Sequence, residues 1–287
     1  MAKNKDSQVS AVRKTKHGTA FSVIFSLLSI VYVMPIMIVI INSFKRKAFI
    51  NKFPFKIGTG KMFVGWENYV EGIKKIEFFK AFGYSLFITV CSVAVIILCT
   101  SMCAWYITRV QTKFTKLFYL LCLFSMIVPF QMVMFTLSKL ANMLHLSNPV
   151  GIILVYLGFG AGLAVFMFTG FVKSIPLEIE EAAMIDGCTP VKTFFLIVLP
   201  LLKPIAITVS ILNVMWIWND YLLPYLLLGT NYKTIPIAVQ YLRGGYGAVD
   251  MGAMMAVLVL AIIPIIIFYL TCQKHIIEGV AAGAVKG

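Results

Sequence analysis

Polar side chains recur along one face of an otherwise apolar stretch, residues 205–228. Asn213 and Asp220 are seven positions apart, and Trp216 falls near the same face at helical spacing. Amide and carboxylate groups beside an indole ring suit a carbohydrate, whose C–H faces pack on aromatic rings while its hydroxyls form hydrogen bonds. Hydrogen bonding between helices explains the same stripe equally well. Together with Asn219, these residues are our candidates for a pore or substrate site, and both interpretations stay open.

A second group of polar residues interrupts the apolar chain at residues 173–204. Pro176 opens an acidic stretch with three glutamates, and carboxylates near a helix N-terminus are stabilised by the helix dipole. Gly187 should end this helix, because glycine adopts the left-handed conformation at little cost. Thr189 can cap a second helix that has a proline at its first position and is closed by Pro200 and Pro204. The stretch therefore predicts a helix, a glycine turn and a second, amphipathic helix, folded into a compact knob at a membrane surface.

The same stretch carries a gapped motif: EAA, three residues, glycine, nine residues, then Ile-x-Leu-Pro. Seven positions match it: Glu181, Ala182, Ala183, Gly187, Ile197, Leu199 and Pro200. This motif resembles the EAA loop in the permease subunits of bacterial ABC importers. The flanking sequence IPLEIEEAAMIDG is similar to the carbohydrate-uptake branch, in particular the second permease of maltose-type transporters. An ordinary amphipathic connector between two membrane spans is the alternative.

The resemblance implies partners and roles for these residues. It implies that a second, homologous permease completes the translocation path and that the loop seats in a cleft of a cytoplasmic ABC ATPase, itself a dimer. It also implies that an extracytoplasmic sugar-binding protein delivers the substrate, and that ATP is used by the partner, with no cofactor in this chain. Glu181 would make a charged contact with the ATPase, and Gly187 would hold the turn. The implied coupling residues are Glu181, Ala182, Ala183, Asp186, Gly187 and Pro200.

Composition indicates an integral membrane protein. Of 287 residues, 60% are hydrophobic and 13% are charged, and the mean hydropathy is +0.93. Soluble proteins are about half apolar and a quarter charged. The formal net charge of +14 fits contact of cationic loops with an anionic lipid bilayer, and no motif for reading nucleic acid is present. The six cysteines form no CxxC pair, so we predict neither a disulfide framework nor a metal site.

Six apolar segments are each long enough for the ~20 residues that a helix needs to cross a bilayer. They cover residues 21–44, 84–108, 117–137, 150–172, 205–228 and 251–272. The predicted fold is therefore an all-α membrane protein with six transmembrane helices and a cytoplasmic helix-turn-helix coupling loop, residues 173–204, between spans four and five. The membrane domain would cover residues 21–272, between an N-terminal tail (1–20) and a C-terminal tail (273–287).

Positive charge gives almost no indication of orientation. With the N-terminal tail inside, the inner segments carry 13 lysines and arginines and the outer segments carry 12. The near tie arises in residues 45–83, which hold nine of these cations, beginning with Lys45, Arg46 and Lys47. The resemblance, which implies a cytoplasmic coupling loop, therefore decides the prediction: a bacterial cytoplasmic membrane, several spans, and both termini in the cytoplasm.

The chain has no recognisable energy source of its own. Residues 58–61 (GTGK) hold a fragment of a phosphate-binding loop, but the first glycine is missing and Met62 stands where Ser or Thr is required. Asp220 is the only acidic or basic residue across the six predicted spans, whereas ion-coupled transporters keep such groups there for function. These features favour a passive gate driven by a separate ATPase, and the resemblance implies a non-enzymatic transport subunit for a mono- or oligosaccharide. The alternatives are an ABC permease for an amino acid or peptide, a self-sufficient secondary carrier, and a membrane enzyme.

Two local patterns bear on helix packing. Gly158 and Gly162 form a GxxxG pair in the fourth span, which permits close approach of a neighbouring helix. Pro129 predicts a kink in the third span.

Overall fold

The computed structural model describes residues 18–242 and 250–284, with side chains as far as Lys274. In this part of the chain the fold is almost entirely helical, and the only β-type pairing is an isolated bridge between Lys45 and Phe63. The predicted N-terminal tail lies outside the described residues as far as residue 17. The predicted C-terminal tail is helical as far as Ala284, and its last three residues are outside the described part.

Fourteen α-helices make up the described part of the chain. They are α1 Gly18–Ser43, α2 Lys47–Ile50, α3 Glu67–Lys75, α4 Phe78–Arg109, α5 Lys113–Ile127, α6 Phe130–Met143, α7 Gly151–Val172, α8 Leu177–Ile185, α9 Pro190–Thr193, α10 Leu199–Leu201, α11 Lys203–Asn219, α12 Leu222–Leu228, α13 Ile235–Gln240 and α14 Met251–Ala284. A 3₁₀ turn covers Gly60–Met62, and a π-helical turn covers Phe194–Val198. We call residues 177–201 the knob.

Four of the described helices, α1, α4, α7 and α14, are long and apolar enough to cross a membrane. Two sharply bent pairs meet the same test together: α5 with α6, bent by 109°, and the second half of the knob with α11, bent by 74°. The described residues therefore hold four to six spans, which agrees with the prediction of a helical membrane protein. The count of six stays a prediction.

The predicted third span, residues 117–137, is not one helix. Helix α5 ends at Ile127, Val128 is extended (ψ 114°), and Pro129 precedes α6. Proline has no amide hydrogen and disfavours helical geometry in the residue before it. The kink expected at Pro129 is thus a complete break. The predicted fifth span, residues 205–228, is likewise divided between α11 and α12.

Helices α4 and α7 form the centre of the molecule. Their contact surface includes Ile96, Tyr156 and Phe168, each with no exposed surface, and α11, α12 and the second half of the knob pack around them. A smaller outer cluster joins the beginning of α4 to α13 and α14, with Trp218 and Ile235 among its buried residues. By contrast, α1 packs chiefly against α14 and leaves most of its apolar side chains exposed.

The segment after α1 folds back on itself. Arg46 donates its amide to the carbonyl of Met62 (2.8 Å), and Val64 donates to Phe44 (3.0 Å). Lys45 is completely buried inside this loop, where its ammonium donates to the side-chain oxygen of Asn42 (3.0 Å) and to a backbone carbonyl (2.8 Å). Burial lowers the pKa of Lys45. This lysine therefore holds the loop closed and is not a free surface charge.

Candidate functional site

The first half of the knob is helix α8, which ends in a closed turn at Gly187. The amides of Gly187 and Cys188 donate to the carbonyls of Met184 (3.0 Å) and Ala183 (2.9 Å). Gly187 has a φ of +83°, so the predicted glycine stop is confirmed. Pro176 was expected to be the first residue of this helix. It instead lies one position before the helix, which begins at Leu177.

The second half of the knob is capped as predicted but is irregular. The Thr189 hydroxyl accepts an amide of the first turn (3.4 Å), and a proline follows it. Residues Phe194–Val198 then adopt a π-helical turn. Pro200 has no amide hydrogen for the carbonyl of Leu196, and this missing bond accounts for the wider turn. The helix ends at Leu201, between Pro200 and Pro204, the two prolines that were predicted to close it.

The knob presents most of the motif residues to its surroundings. Five of the six predicted coupling residues are exposed: Glu181, Ala182, Asp186, Gly187 and Pro200. The sixth, Ala183, is 6% exposed and lies beneath them. The carboxylate of Glu181 has no hydrogen bond or ion pair with any residue that the structure describes.

The knob also exposes several large apolar side chains. Ile185 is 86% exposed at the turn, and Val191 and Leu196 protrude from the second half of the knob. An unpaired carboxylate beside exposed aliphatic groups is a combination typical of a protein contact surface.

Glu180 has the opposite environment, since it is only 1% exposed. One carboxylate oxygen accepts two bonds from Arg109, from Nε (3.0 Å) and Nη2 (2.7 Å). The other oxygen accepts the indole N–H of Trp105 (2.8 Å). Arg109 also donates to the carbonyl of Ile175 (2.9 Å), just before the knob. The C-terminal end of α4 thus holds α8 through a buried, fully hydrogen-bonded ion pair.

Trp105 joins the two halves of the knob. Its ring lies 5.5 Å from that of Phe194, measured between centroids, and Phe194 is buried in the second half. We call Trp105, Arg109 and Glu180 the anchor. Sequence reasoning placed Glu180 only in an acidic helix start. The sequence shows only that Glu180 lies three residues before Ala183, on the same face of α8.

Asp220 lies at the break between α11 and α12. One carboxylate oxygen accepts the hydroxyl of Tyr156 on α7 (3.0 Å). The other accepts the amide of Leu222 (3.0 Å) and, more weakly, that of Leu223 (3.5 Å). The side chain therefore caps α12 and ties it to α7, and Tyr156 is a partner that sequence reasoning missed.

The other candidate pore residues do not form one site. Trp216 is 40% exposed and meets the ring of Tyr156 edge-on, with 5.5 Å between centroids. Asn213 is buried against α7 and donates to the carbonyl of Val209 (2.8 Å). Asn219 is exposed and donates to its own helix at Met215 (2.7 Å). Trp216 and Asp220 thus share Tyr156, while Asn213 and Asn219 lie apart.

A small ionic cluster lies at the opposite end of the molecule from the knob. The Lys75 ammonium bonds to Glu71 (2.8 Å) on α3 and to Asp250, which precedes α14. Burial alone would raise the pKa of Asp250, but hydrogen bonds from Lys75 and from the Ala253 amide hold it below its usual value. The bonds to Asp250 and Glu71 raise the pKa of Lys75. No group of three or more His, Cys, Asp or Glu residues that could hold a metal exists in residues 18–242 and 250–284.

Comparison with known proteins identifies the family. Residues 96–281 match the family described as "Binding-protein-dependent transport system inner membrane component", and they make up more than half of the chain. The chain belongs to this family. The predicted resemblance to the permease subunits of ABC importers is therefore confirmed.

Relatives of this inner membrane component align along nearly the whole chain. It is 36% identical over 260 residues to the probable starch degradation products transport system permease protein AmyC of Thermoanaerobacterium thermosulfurigenes, covering 90% of this chain and 93% of the relative. It is 34% identical over 265 residues to the multiple sugar-binding transport system permease protein MsmG of Streptococcus mutans, covering 90% and 93%. The melibiose/raffinose/stachyose import permease protein MelC of Bacillus subtilis is 30% identical and covers 96% of this chain and 99% of the relative.

Solved structures agree with the fold of this inner membrane component. A chain of a bacterial ABC transporter involved in the import of the polysaccharide alginate superposes with a TM-score of 0.73 at 22% identity, covering 90% of this chain and 95% of that one. A chain of an alginate transporter in complex with a periplasmic protein that carries an alginate pentasaccharide superposes with a TM-score of 0.62 at 15% identity, covering 88% and 93%. At these identities the likeness is one of fold.

Proposed function

We propose that this protein is one of two permeases in an ATP-driven importer that takes up an oligosaccharide. The observation that carries the proposal is the knob, where the unpaired carboxylate of Glu181 stands beside the exposed aliphatic side chain of Ile185. The relatives named for starch degradation products, for multiple sugars and for melibiose, raffinose and stachyose support an oligosaccharide as the solute.

We infer six spans: α1, α4, α7 and α14 supply four, the bent pair of α5 and α6 supplies one, and α11 with α12 (residues 205–228) supplies the last. The membrane domain is then residues 21–272, the tails are residues 1–20 and 273–287, and the loop at residues 173–204 lies in the cytoplasm with both termini. The ionic cluster at Lys75 lies on the outer side in this arrangement. The membrane is the cytoplasmic membrane of a bacterium, and an extracytoplasmic sugar-binding protein brings the solute to its outer face.

The knob docks in a cleft of a dimeric ABC ATPase, which binds and hydrolyses the ATP. Glu181 pairs with a cation of the ATPase, and the small side chain of Ala182 permits close approach. Gly187 keeps the turn narrow, while Asp186 and Pro200 border the contact. Closure of the ATPase dimer moves the knobs of the two permeases and changes the side of the membrane to which the solute path opens.

The solute path receives the exposed members of the polar stripe. Trp216 offers a ring face that suits the C–H face of a sugar, and Asn219 offers an amide for its hydroxyls. Asn213 is buried, and Asp220 accepts bonds from Tyr156 and from α12, so their role is to support the shape of the path.

Purification from the native membrane tests the assembly. The tagged chain, extracted in mild detergent, should bring along a second permease and a soluble ATPase that mass spectrometry identifies. Reconstituted with these partners and the binding protein, it should import radiolabelled maltotriose or raffinose only when ATP is supplied. Recovery of the chain alone, with uptake driven by an ion gradient, would instead support a secondary carrier.

Gly187→Asp tests the docking role of the turn. At a φ of +83° any side chain is strained, and the new carboxylate would stand at the contact with the ATPase. ATP hydrolysis should become independent of solute uptake, while the spans remain inserted in the membrane. The measurements are uptake, ATPase rate and membrane content, compared with Gly158→Ala in α7, where a Cβ meets no atom within 4 Å. Normal uptake by Gly187→Asp would contradict docking through this turn.

A further inference from the structure

The anchor joins the knob to a helix that runs the full depth of the molecule. Helix α4 has 32 residues with no proline among them. At ~1.5 Å per residue it is ~48 Å long, which exceeds the ~30 Å hydrocarbon core of a bilayer. Arg109 is its last residue, so the anchor lies at one extreme end of this helix.

The other end of α4 lies in the outer cluster. Phe78 and Ala81 are buried there with Trp218 and Ile235. Farther along α4, the hydroxyl of Ser85 accepts the amide of Ile235 (2.8 Å), at the start of α13. A displacement of the inner end of α4 therefore reaches residues of α11 and α13 at the far side of the molecule.

The covalent connections from the knob to α7 and α11 are less direct than its contact with α4 through the anchor. The chain enters the knob from α7 through a turn at residues 173–176, and it leaves through a bend of 74° into α11. The anchor instead bridges residues 71 and 75 positions apart in sequence. Because Glu180 is buried, separating it from Arg109 would leave an uncompensated charge in the interior, which is strongly unfavourable. The base of the knob and the inner end of α4 should therefore move together.

We propose that the anchor transmits the displacement of the knob to α4 and, through α4, to the outer cluster. Trp105, Arg109 and Glu180 are positioning residues in this role: they touch neither solute nor nucleotide, and they act by keeping α4 fixed to both halves of the knob. This inference rests on the proposed function, in which an ATPase moves the knob.

Hydrogen–deuterium exchange of the complete complex, purified from its native membrane, tests the inference without knowledge of the solute. ATP with vanadate traps the ATPase closed. In the wild-type complex, trapping should change exchange in peptides of the knob and in peptides of the outer end of α4. In Glu180→Gln the knob should still respond, while the response at the outer end of α4 should fall about tenfold, within the range seen when coupling between sites is weakened.

Two further variants separate transmission from simple stability. Glu178→Gln makes the same chemical change on the exposed face of α8 and should respond as the wild type does. Arg109→Met combined with Glu180→Met removes both charges, so no unpaired charge is left to unfold the protein. It should assemble yet lose the response at the outer end of α4.

The outcomes are distinct. A wild-type response at the outer end of α4 in the double Met variant would overturn the inference, and so would an equal loss in Glu178→Gln. If Glu180→Gln fails to assemble, the double Met variant alone decides. If no ATPase co-purifies with the wild-type chain, the proposed function is wrong, and the anchor is then only a structural contact.

Discussion

At the scale of single residues, Asp220 illustrates how one side chain can resolve a local conflict in the fold. Its carboxylate accepts the Tyr156 hydroxyl and the first free amide of α12, at a point where the chain leaves helical geometry. A helix that starts inside an apolar environment has amide groups without partners, and a carboxylate at that position satisfies them. The break between α11 and α12 thus explains why the carboxylate of Asp220 lies in an otherwise apolar segment.

Substitution of Asp220 should mainly affect stability. Asp220→Ala leaves a buried hydroxyl and an amide without acceptors and should reduce the free energy of unfolding by about 1–3 kcal/mol. Asp220→Asn keeps one acceptor oxygen and should lose less. The measurement is the thermal unfolding midpoint of the purified complex, with exposed Asn219→Ala as the control. An unchanged midpoint in Asp220→Ala, together with lost solute binding, would show instead that the carboxylate contacts the solute.

Predictions from sequence succeeded where the cause is local. The glycine turn and the Thr189 cap depend on residues within one helical turn of each other, so the sequence pattern indicated both. The partners of Glu180 and Asp220 lie 71 and 64 positions away. Nothing in the spacing of one stretch indicates such pairs, which form only when α4 and α7 pack against other helices.

At the scale of helices, the packing of α5 on α7 depends on one glycine of the predicted pair. A Cβ at Gly162 would lie 2.6 Å from the hydroxyl of Ser125 and 2.7 Å from the carbonyl of Cys122. A Cβ at Gly158 would meet nothing within 4 Å, because that side of α7 faces a cavity lined by α5 and α6. The GxxxG pair correctly predicted a close approach of helices at Gly162. At Gly158 there is no close approach, because the chain breaks before Pro129 and leaves a cavity there.

Alanine at these two positions should therefore have opposite effects. Gly162→Ala forces α5 and α7 apart and should destabilise the fold by about 1–3 kcal/mol, as overpacking does. Gly158→Ala has free space and the higher helix propensity of alanine, so it should be neutral or stabilising by up to about 1 kcal/mol. Thermal unfolding of both variants in the same detergent gives the comparison. Equal midpoints would mean that α5 does not pack on α7 at Gly162.

Hydropathy alone did not predict the breaks within two of the predicted spans. Both stretches are apolar enough to cross a membrane, so composition predicted a single helix in each. The breaks fall at Pro129, which has no amide hydrogen, and at Asp220, whose carboxylate accepts the free amides of α12; hydropathy measures neither effect.

At the scale of the whole molecule, an ionic contact fastens α3 to the segment that leads into α14. Lys75 on α3 binds Asp250 at the start of α14, and a Cβ at Gly72 would lie 2.8 Å from Val257, so these two helices are closely packed. Buried Lys45 also shows why the count of positive charges gave no orientation: part of that charge closes a loop and does not face lipid headgroups.

The contact between Lys75 and Asp250 should depend on pH. The pKa of Asp250 is held below its usual value, so the pair stabilises the fold above about pH 4, and this contribution is lost as the pH falls through the lowered pKa. Both side chains are partly exposed, so the effect should be about 0.2–1 kcal/mol. Asp250→Asn should lower the unfolding midpoint at pH 7, and its difference from the wild type should shrink below about pH 4.

A Lys75→Met background provides the control for this pH dependence. With the ammonium absent, Asp250→Asn should make a smaller difference at pH 7 than it does in the wild type. A difference of the same size in both backgrounds would attribute the effect to the Ala253 amide and not to the ion pair.

The position of α1 sets the order in which this protein is completed. Its main partner, α14, begins about 200 residues later in the chain. At ~5–20 residues per second, the ribosome needs ~10–40 s to reach it. The first helix must therefore wait in the bilayer, surrounded by lipid or by another protein, until the final helix is synthesised. A largely apolar surface without charged side chains, which contributes little to the folded core, makes that wait possible.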